Sequence, residues 1–450
     1  MENNHDVIRS AGNFIRKSVT LKVIVIGILI LLLLIPAVLI ENLIRERLHR
    51  HNSVIIEIND KWSSSQTVTG PFITVPFKIY YEDLSGEVRY NTEILHILPE
   101  TLFIGGTIEP LQLSRSLFKT VVYSSKIKFR GNFSIPSREE TNIDPDNILW
   151  DKACISLGIS DMRGIQDRVN IFLNDVSGEA NPGLKTQDLA ESGVSAPVKL
   201  SLSGGNNSFS FDLDLNGSNM LNFVPVGKSS IVNIRSTWPS PGFGGSFLPD
   251  NREIKKDGFS AGWKILHLNR NYPQFWQGSL HNVEGSSFGV SLVLTADIYQ
   301  KSIRLAKYAV MFLFFTFSAF FFSEIINRQK VHPIQYLLVG GAILIFYTLV
   351  LSLSEHMRFN YAYVLSALSV TLIIAGYARA IVKDRRFAAM ILGILAILYG
   401  YLFIILQLED YSLLMGSIGL LVIITTVMYM TRKINWYEIE MDKVAESESI

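Results

Sequence analysis

The chain has 450 residues, of which 48% are hydrophobic and only 18% are charged, and its formal net charge is +1. A soluble domain usually carries about a quarter charged residues, so this composition favours a membrane protein. The near-neutral charge argues against a nucleic-acid-binding protein, and a single cysteine, Cys154, excludes an intramolecular disulfide or a multi-cysteine zinc site.

The first element is the apolar segment VIVIGILILLLLIPAVLI at residues 23–40, which follows Arg9, Arg16, Lys17 and Lys22. About 20 apolar residues in a helix cross the hydrocarbon core of a bilayer. The run is long for a signal peptide, and no small-residue cleavage site follows it. We therefore predict an uncleaved transmembrane helix preceded by a cytoplasmic segment at residues 1–22, with Pro36 bending its last turns.

Residues 41–303 contain no further spanning segment and show strand-like alternation. In PVKLSLSGGNNSFSFDLDLNGS (197–218), apolar residues alternate with polar ones on both sides of a turn, which predicts a hairpin with one buried face. Residues 72–83, 126–133 and 229–238 are also typical of strands. We predict a β-dominated domain, built as a sandwich or partly closed sheet, with a looser insertion at residues 135–195.

Residues 238–276 concentrate aromatic side chains among proline and glycine residues. The candidate binding aromatics are Trp238, Phe247, Trp263 and Trp276. On loops, such rings can stack on sugars or cover a bilayer surface. The competing interpretation, that they pack as a satellite core under long loops, is the more frequent role of aromatic residues.

Five more apolar segments form a predicted C-terminal bundle over residues 304–430, which gives six transmembrane helices in all. Their predicted ranges are 304–323, 334–353, 361–382, 387–406 and 413–430. The loops at 324–333 and 379–386 and the start of the tail at 431–450 carry most of the bundle's basic loop residues. Because short cytoplasmic loops are rich in lysine and arginine, we expect both termini to be cytoplasmic and residues 41–303 to be periplasmic.

Two loops at the predicted outer face carry a candidate polar site. It comprises Ser354, Glu355, His356, Glu409 and Asp410. Ionisable groups at membrane depth are costly and often functional, and a histidine beside carboxylates can carry a proton or hold a cation. The alternative, which we weight more heavily, is that these residues are polar helix ends in water. His332-Pro333 likewise fits a helix start with proline at its first position.

The sequence contains no recognisable catalytic or metal-binding motif. It lacks H-E-x-x-H, a P-loop and G-x-S-x-G. We therefore predict no cofactor, no metal and no catalytic residue.

Several segments, taken together, resemble the CreD family of bacterial inner-membrane proteins over nearly the whole chain. In the β-rich region they are SSSQTVTGPFITVPF (63–77), ISDMRGI (159–165), LNGSNMLNFVPVGKSS (215–230), WPSPGFGGSFLPDNREI (238–254) and LNRNYPQFW (268–276). Towards the C-terminus they are FGVSLVLTADIYQKSIRLAKYA (288–309), VHPIQYLLVG (331–340), LSLSEH (351–356), LQLEDYSLLMGS (406–417) and INWYEIE (434–440). The resemblance implies a role in envelope integrity under stress-responsive two-component control, linked to tolerance of colicins and β-lactams. It implies no particular reaction.

Three functions remain open on the sequence. The first is a non-enzymatic envelope protein, in contact with membrane lipids, whose periplasmic domain binds an envelope glycan, lipid or periplasmic protein. The alternatives are a transporter or lipid-handling channel and a membrane enzyme acting at the periplasmic face. Transport would favour charges at the centres of spans, and most of the predicted spans have none there. The sequence does not indicate an oligomeric state.

Overall fold

A computed structural model of the chain describes residues 19–115, 118–174, 176–201, 206–292, 297–326, 331–382, 385–408 and 411–432. The chain forms two compact units. The helical unit lies within residues 1–50 and 296–450, and the β unit comprises His51–Thr295.

The long helix α1 (Val19–Trp62) contributes its first part to the helical unit and its last part to the β unit. The predicted span at 23–40 occupies less than half of it, because the helix continues through a polar segment after residue 40. In that segment the i,i+4 ion pairs Glu41–Arg45 and Glu57–Lys61 support the helical conformation. Pro36 lies inside the helix.

Among the described residues, the β unit contains two sheets, the end of α1, the short helix α2 (Arg138–Thr141) and several 3-10 turns. Its strands are β1 (Gln66–Glu82), β2 (Val88–Ile97), β3 (Thr101–Arg115), β4 (Phe118–Phe133), β5 (Cys154–Ile159), β6 (Asn170–Leu173), β7 (Val176–Glu179), β8 (Asn181–Pro182), β9 (Gly193–Pro197), β10 (Asn207–Ser218), β11 (Met220–Val224), β12 (Ser229–Ser236), β13 (Gly242–Gly245), β14 (Asn251–Lys255), β15 (Gly258–Leu266), β16 (Phe275–Gln277) and β17 (Phe288–Ser291).

Within the described residues, sheet A has the order β13-β17-β11-β1-β5-β9-β8, with β2 pairing β1 and β16 pairing β2. Sheet B has the order β14-β15-β12-β3-β4-β10-β6-β7. Most neighbours are antiparallel, while β1–β11 and β3–β12 are parallel. Apolar side chains from both sheets form one continuous core, including Ile73 and Ile155 of sheet A and Phe129 and Leu213 of sheet B.

Strand β10 shows why the sequence predicted this fold class and where that prediction failed. Phe209, Phe211, Leu213 and Leu215 are buried, and Ser208 and Asp212 are exposed, as the alternation requires. The predicted hairpin partner is wrong over its described residues 198–201, which form no strand, since β10 pairs with β4 and β6. Alternation identifies the buried face of a strand but not its neighbour.

The segment 135–195 is not a loose insertion. It supplies β5, whose six residues are all buried and which lies between β1 and β9 in sheet A. Loop-like composition around a short apolar run concealed a central strand, because a strand covered on both faces shows no alternation.

The helical unit contains α3 (Asp297–Lys307), α4 (Ala309–Ile326), α5 (Pro333–Ser354), α6 (Phe359–Val382), α7 (Arg385–Gln407) and α8 (Ser412–Thr431). Among the described residues, four helices (α1, α5, α6 and α7) are long and apolar enough to cross a membrane, or five if α3 and α4, bent by 45°, form one span. The predicted total of six spans therefore remains a prediction. At the start of α5, His332 is the N-cap and Pro333 is in the first turn, as the sequence indicated.

Helix α1 packs on the bundle through a narrow contact. A Cβ atom at Gly340 of α5 would lie 2.3 Å from Leu33 Cδ1, so the absence of a side chain at Gly340 makes room for Leu33. Leu33 is 4% exposed, whereas many neighbouring apolar residues of α1, such as Leu31 and Ile35, are largely exposed. Apolar side chains exposed on a helix of this length are typical of contact with lipid.

Candidate functional site

The distal half of the β1–β2 hairpin, residues 78–93, is exposed on both faces; we call it the arm. The proximal half is anchored in the core, where Ile73 pairs with Ile97 and Val75 with Leu95. The ladder continues without interruption to Glu82 and Val88. Every residue from 79 to 93 is nevertheless exposed, except Asp83, which is half-buried. The arm is therefore an ordered two-stranded ribbon without a core of its own.

A hydrogen-bonded turn closes the arm. The carboxylate of Asp83 accepts hydrogen bonds from the Ser85 amide at 2.8 Å and the Glu87 amide at 3.2 Å, and Arg89 Nε lies 2.7 Å from it. The hydrogen bonds from Ser85 lower the pKa of Asp83 below its usual value, so the turn is held by a charged carboxylate. Leu84 at the tip is completely exposed.

Aromatic and aliphatic side chains cover both faces of the arm. Tyr80 and Tyr90 are cross-strand partners with ring centroids 5.8 Å apart, and Lys78 Nζ lies 4.7 Å from the centre of the Tyr90 ring. Tyr81 and Ile79 are exposed on the opposite face. The arm's two basic and four acidic residues give it a formal charge of −2; they are Lys78, Arg89, Glu82, Asp83, Glu87 and Glu93.

Both edges of the arm are open. Strand β1 pairs with β5 only as far as Thr74, followed by an isolated bridge between Phe77 and Ile148. Strand β2 pairs with β16 only at residues 95–97. In the described chain, no strand lies beside residues 78–82 or 88–93 on their outer edges. The backbone groups on these edges are therefore available to a further strand.

The structure describes three of the five residues of the predicted polar site. Ser354 is buried, and its hydroxyl donates to the Leu351 carbonyl at 2.8 Å. Glu355 is the C-cap of α5 and accepts a hydrogen bond from the Tyr299 hydroxyl at 3.3 Å. His356 is exposed, with Nδ1 3.0 Å from the Ser352 carbonyl. The side chains of Ser354 and His356 thus form hydrogen bonds with backbone carbonyls of α5. Glu409 and Asp410 lie outside the described residues.

The four candidate aromatics lie in or against the core of the β unit. Trp263 and Trp276 are 2% and 6% exposed. Trp238 and Phe247 are partly buried against the same core, and Trp263 donates to the Phe247 carbonyl at 3.3 Å. Trp263 and Trp276 pack in the core and have no ring face exposed to a ligand. Ligand binding by Trp238 and Phe247 remains a prediction.

A buried histidine that the sequence did not single out lies beside Trp276. His96 is fully buried, and its Nε2 lies 2.9 Å from Asp188, which also accepts a hydrogen bond from Thr186. Burial lowers the pKa of His96, while Asp188 and the Gly278 backbone act in the opposite direction. Burial also raises the pKa of the Cys154 thiol, which makes it less reactive. In the described part of the chain, no three histidine, cysteine or acidic residues are arranged to hold a metal ion.

A buried carboxylate in the helical unit is that of Glu324, at the end of α4. Its carboxylate pairs with Lys22 of α1 and accepts hydrogen bonds from the Val331 amide at 3.2 Å and the Tyr336 hydroxyl at 3.4 Å. In the sequence, Glu324 is only the first residue after the predicted span at 304–323. Its partners come from α1 and from the start of α5, and hydropathy does not identify contacts between segments so far apart in sequence.

An apolar N-terminal helix, a central β-rich region and C-terminal apolar helices define a membrane protein with a large β-rich unit. Comparison with known families agrees with this class. The family model described as inner membrane protein CreD matches residues 18–437, and the chain belongs to this family. Inner membrane protein CreD of Escherichia coli (strain K12) is 31% identical over 427 residues, which cover 94% of each chain. The protein is thus a CreD-family protein of the inner membrane, and the expected family is confirmed.

Proposed function

We propose that the protein supports the integrity of the cell envelope without catalysing a reaction, by docking a polypeptide on the arm. In this proposal both termini are cytoplasmic and the β unit is periplasmic, as the basic residues of the short loops predict. The periplasmic domain then binds an envelope protein, while the helices hold it in the membrane. Family membership supports the location in the inner membrane, and the exposed arm supports the binding of a polypeptide.

The observation that carries the proposal is the exposure of large apolar side chains on an ordered ribbon. Tyr80, Leu84, Val88 and Tyr90 are 51%, 110%, 67% and 53% exposed. Single exposed apolar residues are common, but a contiguous group on a fixed scaffold marks an interaction surface. Tyrosine is also enriched among the residues that dominate binding energy at protein interfaces.

The chemistry of the arm favours a polypeptide over a glycan or a lipid. The rings of Tyr80 and Tyr90 are inclined at 58°, and Lys78 lies over one face of Tyr90, so they do not form a flat stacking platform. A formal charge of −2 opposes binding to anionic lipid. An added strand, in contrast, satisfies the open backbone edges as well as covering the side chains.

The test uses the full-length protein in cells that lack their own copy. The triple variant Tyr80→Ser, Leu84→Ser, Tyr90→Ser should reach the membrane at normal abundance and lose tolerance of envelope stress, such as exposure to a β-lactam. Leu84→Ser alone, at the fully exposed tip, should produce part of the loss without affecting the ladder. The matched control replaces three other exposed apolar residues of the β unit, Phe172, Val176 and Leu268, by serine. Full tolerance in the arm variants, or an equal loss in the control, would contradict the proposal.

A transport or lipid-handling role is the second candidate, and one feature of the bundle favours it. The hydroxyls of Tyr347 in α5 and Tyr399 in α7 are buried and have no hydrogen-bond partner among the residues that the structure describes. Both lie in the aromatic cluster around Phe346, whose ring is 5.1 Å from Tyr347 and 4.6 Å from Tyr399. Buried hydroxyls without partners are costly in a membrane and suit a polar ligand. If the bundle acts in this way, Tyr347→Phe and Tyr399→Phe should abolish stress tolerance at normal abundance; wild-type tolerance would rule it out.

A further inference from the structure

We infer that six basic residues on α1 and α3 bind the phosphate of an anionic phospholipid, while exposed apolar residues of the adjoining helix segments contact its acyl chains. The six residues, which we call the basic cluster, are Arg45, Arg47, Arg50, Lys301, Arg304 and Lys307. All six belong to the helical unit. This binding is independent of the arm, so it goes beyond the proposed function.

Helix α1 runs antiparallel to α4 and α3, which brings the two parts of the basic cluster to the same end of the helical unit. Three contacts, taken in order along α1, fix this direction: Lys22 pairs with Glu324, Leu33 and Leu313 lie together against Gly340, and the charge of Arg47 acts on Tyr299. Residue numbers rise along α1 as they fall along α4 and α3. Residues 41–50 and 297–307 therefore lie side by side.

The basic cluster lies at the level of lipid phosphates. At 1.5 Å per residue, Arg45 lies about 35 Å from Lys22 along α1. Lys301 lies about 30 Å from Glu324 once the 45° bend between α3 and α4 is included. The hydrocarbon core of a bilayer is about 30 Å thick, and the headgroups lie beyond it. Because the pair of Lys22 and Glu324 lies at one edge of the apolar segments, the basic cluster reaches the headgroups at the other edge.

Positive charge predominates in these two segments. Residues 41–50 contain three arginines and two glutamates, and residues 297–307 contain three basic residues and one aspartate, which gives a formal charge of +3. In the proposed topology both segments are periplasmic, where lysine and arginine beside a span are usually less frequent. A phosphate ligand accounts for basic residues that the orientation of the chain does not require. Arginine binds phosphate through two parallel hydrogen bonds, and lysine binds it as a point charge.

Exposed apolar residues lie next to the basic cluster on the side towards the membrane. On α1, Leu43 lies one turn before Arg47 on the same side of the helix and is 38% exposed. Lys307 ends α3, and Val310 and Phe314 at the start of α4 are 46% and 53% exposed. Cationic groups above an apolar surface fit the headgroup and acyl chains of one lipid molecule. A soluble phosphate would contact only the cations.

Photolabelling of the full-length protein in neutral detergent tests the site. The probe is phosphatidylglycerol with a photoreactive diazirine beside its headgroup, and the labelled peptides are identified by mass spectrometry. Label should appear in residues 41–50 and 297–314. The lipid concentration that gives half-maximal labelling of these peptides measures the affinity.

Variants test the role of charge. Arg47→Gln combined with Lys307→Gln should raise the half-maximal lipid concentration about 25-fold, at about fivefold for each basic residue. Arg47→Lys combined with Lys307→Arg keeps both charges and should label as the wild type does, which separates loss of charge from damage to the fold. The matched control is Arg252→Gln combined with Lys256→Gln, which removes one exposed arginine and one exposed lysine from the β unit and should have no effect.

Competition tests the class of ligand. Unlabelled phosphatidylglycerol should suppress the labelling, whereas equal concentrations of zwitterionic phosphatidylcholine or soluble glycerol phosphate should not. Suppression by either of the latter would overturn the assignment to an anionic lipid. Wild-type labelling in the glutamine variant, loss of labelling in the charge-preserving variant, or an equal loss in the control would overturn the basic cluster as the binding site.

Discussion

Replacing Asp161 by alanine should destabilise the β unit, because this carboxylate joins the end of α1 to sheet A. Asp161 follows β5 and is 10% exposed. It accepts hydrogen bonds from the Ser64 amide at 2.8 Å, just after α1, and from the Arg163 amide at 3.1 Å. The guanidinium of Arg163 adds two more contacts, at 2.9 and 2.7 Å. Removing the carboxylate leaves both amides without this partner.

The expected loss is about 3 kcal/mol. Arg163 is 58% exposed, so its ion pair contributes no more than about 1 kcal/mol. The two amide bonds to a charged acceptor supply the remainder, at roughly 1 kcal/mol or somewhat more each. For a unit of this size, the midpoint of thermal unfolding should fall by about 6–12 °C. Circular dichroism of the full-length protein in detergent near neutral pH measures the shift.

A matched control is Asp212→Ala. Its carboxylate is 69% exposed and lies 3.7 Å from Lys128, so its loss should change stability by less than about 0.5 kcal/mol. An Asp161→Ala midpoint within about 1 °C of wild type, or no lower than that of Asp212→Ala, would refute the reasoning.

The same contact has a defined pH dependence. Hydrogen bonding to Arg163, the largest cause, lowers the pKa of Asp161 in the folded protein. The folded-state pKa is therefore below the unfolded value of about 3.9, so the stabilisation is present above that pH and is lost as the pH falls further. The difference between wild type and Asp161→Ala should be constant from pH 8 to about 5 and should shrink below about 4.

Three further predictions concern other parts of the chain. Burial lowers the pKa of His96, so the unfolded state takes up its proton first; stability should fall as the pH drops below about 6.5, and His96→Gln should reduce this fall in thermal melts. Gly340→Leu should lower the melting temperature in detergent by displacing Leu33, whereas Gly341→Leu should not, because a Cβ atom there meets nothing within 4 Å. Glu355→Gln should leave abundance unchanged and lower stress tolerance if the polar site at the outer face acts; wild-type tolerance would assign Glu355 to the helix end.

Hydropathy and strand period predicted the general architecture because both depend on local sequence. The apolar run at 23–40 and the alternation from Phe209 to Leu215 each report directly on the environment of a side chain. Pairing partners depend on residues far apart in sequence. That β10 lies beside β4, and that β5 lies at the centre of sheet A, follows from packing of the whole β unit and has no local signal.

The exposure of the arm had a local signal in the sequence, which the period-2 alternation used to predict strands does not take into account. The segment FITVPFKIYYED (72–83), predicted as a strand, lies in β1 up to Glu82, but its two halves are in different environments. Up to Phe77 the strand is covered by the rest of the unit, and beyond that point it is not. The consecutive tyrosines Tyr80 and Tyr81 place an aromatic ring on each face, which a strand with one wet face would not favour. The alternation of apolar and polar side chains along β1 therefore stops before the turn at Asp83–Gly86, and this change marks the point beyond which the rest of the β unit no longer covers the strand.

The arm and the polar site of Glu355 and His356 differ in what they require from a partner. Polar groups at the end of α5 have their hydrogen bonds within the helical unit, as the contacts of Ser354 and His356 show, so no ligand is needed to satisfy them. Exposure of apolar surface to water is unfavourable by roughly 25 cal/mol per Å², and burial of the surface removes this free-energy cost. The arm bears this cost on a ribbon with two open edges, where it also adds a risk of aggregation. A surface that is unfavourable for the isolated chain is better explained by an interaction that buries it, which is why we place the function on the arm.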